Sequence, residues 1–150
     1  QKGKEHTYTP DSQELQNDSL LLDGGTDGIA IPSIERAQNP PVYYGTLEIK
    51  KTAQGLLIIN ELSLEAYLEA VVPSEMPASY EEQALMAQAV CARTYAVCQI
   101  QENSLEKYGA DVDDSVNYQV YNNFGADKRT NKASRFPRPV QAGWKTGRFL

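Results

Sequence analysis

Glu75 stands between two prolines in 73-PSEMPASYEE-82. Pro73 and Pro77 fix their own φ and push Val72 and Met76 away from the right-handed helical region, so the connection presents its carboxylate stiffly. A carboxylate held in place suits general acid/base chemistry. Val71, Val72 and Met76 are expected to strip water from it, and Glu69, Glu81 and Glu82 crowd it with like charge if close. That is the setting in which a carboxylic acid serves as a proton donor. The same spacing also fits a surface glutamate drawn to the positive N-terminus of the following helix.

Other nucleophile and metal chemistries find little support. His6 is the sole histidine and sits in a polar leader, so a Ser-His-Asp or Cys-His catalyst has no base. Cys91 and Cys98 lie seven apart on what reads as one helix, roughly 10.5 Å between Cα atoms, too far to bridge each other. A zinc site would need two more ligands. Both cysteines are expected to be small buried hydrophobes. The run 23-DGGTDG-28 lacks the Lys-Ser/Thr of a phosphate loop and the final Glu of a calcium loop, and reads as a turn.

The elements that must position Glu75 follow from periodicity. Residues 42–51 and 56–62 are β-rich runs joined by Thr52-Ala53-Gln54-Gly55, the pattern of a hairpin. Tyr44, Thr46 and Glu48 alternate with Leu47 and Ile49, which predicts one wet and one buried face, whereas the second run is apolar on both. Leu64, Leu68, Val71 and Val72 then recur at helical spacing, with Ser63 placed to cap and Pro73 to end a short helix. Ser79-Tyr80-Glu81-Glu82 reads as a capping box opening a second helix that continues to about Ile100. Its stripe of Leu85, Gln88, Ala89, Ala92 and Ala96 is small enough for close backbone approach. Residues 115–124 read as a strand followed by a turn.

A hydrophobic fraction of 41% with nine tyrosines argues against wholesale disorder, and 150 residues suit about one domain. Residues 1–127 carry seven basic residues against twenty acidic ones, a net of −13, while seven basic residues and no acid lie between Lys128 and Leu150. So acidic a body makes nucleic acid an unsuitable ligand. The basic end reads as a solvated tail, with docking to an anionic polymer as the alternative. No apolar run approaches the roughly 20 residues of a membrane span. A chain starting at Gln1 is consistent with a leader removed or never included.

The run 60-NELSLEAYLEAVVPSEMPASYEEQALMAQAVCARTYAV-97 closely resembles the core of the SpoIID/LytB domain, the family of bacterial stage II sporulation protein D. Residues 43–62 resemble the hairpin entering that core, and Asp114 to Tyr121 resemble a second family segment through Gln119, Val120 and Tyr121. The resemblance implies a lytic transglycosylase acting on peptidoglycan strands already stripped of peptides, with Glu75 as catalytic acid. It equally admits a non-catalytic wall-binding module that positions or stimulates an amidase. Arg93 is then a candidate to hold a sugar carboxyl or the Glu75 carboxylate, or else a buried helix arginine paired with a strand. Gln119 and Tyr121, two apart on one strand face, are candidates to bind sugars or to pack the core. No metal or other cofactor is carried over. Peptidoglycan strands and an amidase are the implied partners, at an extracytoplasmic location, through a membrane attachment, if any, outside this chain.

The expected fold is α+β: a small, mostly antiparallel sheet packed on one long helix, with a short helix before it. An irregular leader (1–41), the family-like domain (42–133) and a basic tail (134–150) divide the chain.

Overall fold

The structure, a computed structural model, describes residues 3–16, 19–37, 40–115, 117–122, 127–135 and 147–149. These form six strands, β1 (Leu20–Asp23), β2 (Ile29–Ala30), β3 (Val42–Tyr43), β4 (Thr46–Thr52), β5 (Gly55–Leu62) and β6 (Gly147–Phe149). Three α-helices accompany them: α1 (Leu64–Glu75), α2 (Glu82–Glu102) and α3 (Lys128–Ser134). The main sheet is antiparallel in the order β1-β4-β5-β6, and β2 pairs with β3 in a separate ribbon. The arrangement is α+β.

The β4–β5 hairpin forms with Thr52 opposite Gly55. The Thr52 hydroxyl accepts the Gln54 N–H at 3.2 Å and donates to the Gly55 carbonyl at 3.1 Å, so the turn closes on its own side chain. Leu47 and Ile49 are both buried, as their alternation predicts, and Leu47 joins the core cluster with Tyr67 and Leu68 of α1. β5 buries Leu62 in the main core and Ile59 in a smaller cluster with Leu105 and Ala110, which is why both its faces are apolar.

The run 42–51 is not one strand. It breaks at Gly45, whose φ of +76° is open to glycine and strained for other residues, and a Cβ there would lie 2.3 Å from the Glu61 carbonyl. Gly45→Ala is therefore expected to destabilise the protein by about 2 kcal/mol or more, read as a lower denaturant midpoint at unchanged slope.

In α1, Ser63 caps as expected, its Oγ accepting the Ala66 N–H at 3.2 Å. The helix does not stop at Pro73; it runs two residues further. Proline removes only one N–H donor so close to the end, and Ser74 Oγ adds a bond to the Ala70 carbonyl at 2.7 Å. The stop comes from Pro77, which holds Met76 extended at φ −141°, ψ 125°. Glu75 is thus the last residue of α1 rather than part of the loop entering α2.

The Ser79 capping box does not form. Glu81 is the N-cap of α2 and makes no side-chain cap bond, while Glu82 pairs instead with Lys132 at 2.7 Å. α2 buries Leu85, Ala89, Ala92, Arg93 and Ala96 and ends on Asn103, in a left-handed conformation at φ 52°. Cys91 and Cys98 are exposed and free, a correction to their expected burial: the stripe facing the core passes between them through Ala92 and Ala96.

α3 was absent from the expected elements. Asp127 caps it by accepting from the Arg129 and Thr130 N–H groups, and it packs Thr130, Ala133 and Ser134 against α1 and α2. Beyond residues 42–133, β1 extends the sheet at one edge and β6 at the other. The described basic residues from 128 onward are largely paired with the acidic body: Lys132 with Glu82, Arg135 with Glu69 at 3.0 Å, and Arg148 with Glu48. No helix among the described residues is long and apolar enough to cross a membrane.

Candidate functional site

Glu75 projects from the C-terminal end of α1, and its Oε1 accepts the Val120 main-chain N–H at 2.8 Å. One residue earlier, Ser74 Oγ accepts the Asn122 N–H at 3.0 Å. Two successive helix side chains thereby hold alternate N–H groups of one extended segment. Val116, Asn123 and Phe124 lie outside the described residues, and the rest of 115–124 forms no strand; the Val120 and Asn122 N–H groups go to α1 instead. The Glu75 side chain is exposed rather than shielded by the valines before it: it stands on the last residue of α1, while Val71 and Val72, one turn earlier, are buried.

Gln119 and Tyr121 point the other way from those N–H groups, into the core. The Gln119 amide accepts the Tyr67 hydroxyl at 3.2 Å and donates to the Ala92 carbonyl at 3.3 Å, tying the segment to both long helices. Tyr121 stacks between Tyr43 and Tyr67, with ring centroids 6.3 and 6.0 Å apart, and Tyr67 lies against Phe149 at 3.9 Å. Tyr67, only 1% exposed, is the residue that pattern reading missed. Its position three after Leu64 was the available signal.

Burial is the main cause that lifts the Tyr67 and Tyr121 phenols well above their ordinary value of 10.0. Tyr43 is also raised by burial, partly offset by the Arg36 guanidinium. Their ionised forms are tolerated only by the unfolded chain, so stability is intact below about pH 10 and is lost as pH climbs through the raised folded values. An alkaline ultraviolet titration is expected to show this cluster ionising only as the fold opens.

Arg93 is not beside Glu75. Its Nε and Nη2 donate to Glu65 at 3.3 and 2.9 Å, and Nη2 also donates to the Ser134 carbonyl. Glu65 lies ten residues before Glu75, roughly 15 Å along the helix. Arg93 therefore fastens the start of α1 to α2 and α3, and its partner is a helix rather than a strand. Of the nearby aspartates, Asp111 accepts the Arg148 main-chain N–H at 2.8 Å and Asp114 pairs with Arg36. Among the described residues no group of His, Cys, Asp and Glu is disposed to hold a metal ion.

The arrangement offers an anchored, solvent-accessible carboxyl at the end of α1, a group able to give and take protons. An amidase enhancer of Bacillus subtilis is 39% identical over 148 aligned positions, covering 79% of this chain and 20% of the relative. Stage II sporulation protein D of the same organism is 43% identical over 65 residues, 42% of this chain and 19% of the relative. An uncharacterised protein of Brachyspira hyodysenteriae is 41% identical over 96 residues, 64% of this chain and 24% of the relative. The chain thus spans a quarter or less of the length of these relatives. No solved structure matches it. The family described as SpoIID, Stage II sporulation protein, matches residues 52–144, which take in the Glu75 helix end and the 119–122 segment fastened to it, and the chain belongs to that family.

Proposed function

We propose that this chain has a cell-wall role outside the cytoplasm and cleaves peptide-stripped peptidoglycan strands as a lytic transglycosylase, with Glu75 as its acid and base. The observation that supports this best is the Glu75 carboxyl itself, fixed by one main-chain N–H yet open to solvent. One carboxyl suffices for the chemistry. The protonated acid gives its proton to the glycosidic oxygen as the bond from that oxygen to C1 breaks. The resulting carboxylate takes the proton of the sugar's own 6-hydroxyl as that oxygen closes on C1. The proton lost is regained, no water is consumed, and the product carries a 1,6-anhydro end. A hydrolase would need a second carboxyl about 5 to 9.5 Å away to act on C1 or on water. Amidase-treated glycan incubated with the protein should yield 1,6-anhydro ends by mass spectrometry; reducing ends alone would count against the reading.

A second reading draws on the identity with the amidase enhancer: a wall-binding module that positions or stimulates an amidase. Glycan retention without products, together with faster turnover by an added amidase, would favour it. On either reading the working unit comprises residues 42–133 with β1 and β6 completing its sheet.

A further inference from the structure

A cavity of about 290 Å³ opens on the sheet face that carries Leu47 and Ile58, enough for roughly ten waters. Glu75 is not among its lining residues. Leu47, Leu56, Ile58 and Phe149 give it apolar walls, and Tyr43, Tyr67 and Tyr121 add aromatic ones. At the rim, Ile34 and Arg36 arrive from the segment before β3, and Arg36 is matched by Asp114. Asp113 then remains as the odd charge of the lining. One of its oxygens accepts the Ser115 N–H at 2.9 Å, and no ion pair engages it among the described residues. Asn60, 6% exposed, spends its Nδ2 on the Tyr44 and Thr46 carbonyls at 2.7 and 3.2 Å, which fixes its amide oxygen as an acceptor.

Apolar and aromatic walls with a few placed acceptors are the ordinary make-up of a small-molecule site. The ligand must bring O–H or N–H donors to Asp113 and Asn60 and a C–H face to the walls. Because Arg36 is already neutralised by Asp114, a lone carboxylate in this lining disfavours an anionic guest. A neutral sugar ring meets all three conditions.

We propose that this cavity is a binding subsite for one uncharged saccharide ring, set apart from Glu75 and selecting neutral sugars over carboxylate-bearing ones. The proposal rests on the glycan reading above for its ligand class, but it is separable from cleavage. Tyr67 joins the two regions: its ring lines the cavity, while its hydroxyl meets Gln119, whose neighbour Val120 anchors Glu75.

Titration of the whole chain with N-acetylglucosamine, a single ring with no internal bond to cleave, is followed by ligand-observed NMR. Saturable binding is expected. It should weaken about tenfold or more in Asp113→Asn and for N-acetylmuramic acid as ligand, the loss of a charge-assisted hydrogen bond or gain of a charge repulsion. Leu56→Phe, a half-buried site where added bulk fills the cavity, should weaken it likewise, with folding checked by thermal melting. Glu75→Gln should leave it unchanged. The proposal is overturned if the wild type binds neither sugar saturably, if Asp113→Asn and Leu56→Phe bind as the wild type does, or if Glu75→Gln alone removes binding. Absence of 1,6-anhydro products with binding intact would count against the cleavage reading and leave the subsite standing.

Discussion

Glu75→Gln is expected to lower glycan cleavage by about two to four orders of magnitude, the usual contribution of a positioned general acid/base. The amide oxygen of Gln can still accept the Val120 N–H, so the link between α1 and residues 119–122 survives. What disappears is the transferable proton. Since the side chain is exposed, the melting free energy should stay within about 0.5 kcal/mol of wild type. Loss of activity and retention of stability together separate a chemical role from a structural one. Full activity in the Gln protein would sink the assignment, and a large drop in stability would recast Glu75 as a strut.

Arg93→Met should produce the opposite pattern. The Arg93 side chain is 9% exposed, and it bridges Glu65 and the Ser134 carbonyl, so three helices share one guanidinium. Met keeps most of the apolar stem but removes every donor. Glu65 is 46% exposed and can rehydrate, which limits the penalty; the Ser134 carbonyl is less able to. We expect a loss of about 2–3 kcal/mol, or a fall of roughly 5–10 °C in Tm. A double-mutant cycle with Glu65→Gln should show the two changes to be non-additive. If Arg93→Met melts as the wild type does but loses activity, the residue reaches the substrate after all.

Much of this was legible because the signals were local. The β4–β5 turn is closed by neighbours in sequence, and Ser63 caps α1 within one turn. The Glu75 motif was readable too, but its surroundings were not. Pro73 looked like a helix stop, yet a proline two residues from the end sacrifices a single bond, and Pro77 was the stronger stop. α3 gave no apolar stripe, since it buries Thr130, Ala133 and Ser134, small side chains that suit close helix contact. The cysteines were misplaced because the inward stripe of α2 runs through Ala92 and Ala96 and leaves residues 91 and 98 outside it. Gln119 and Tyr121 share a side as their spacing required, but only the fold shows that this side is the interior.

The pairing of β6 with β5, Asn60 opposite Phe149, joins residues separated by most of the chain. Phe149 also seats on Tyr67, so the last strand brings an aromatic lid to a cluster whose other members come from the first two-thirds and the middle of the molecule. Such a long loop is closed late and at an entropic penalty that local contacts do not share. Refolding should therefore be limited by how often the distant strand finds its register, and the aromatic cluster should close only in that step.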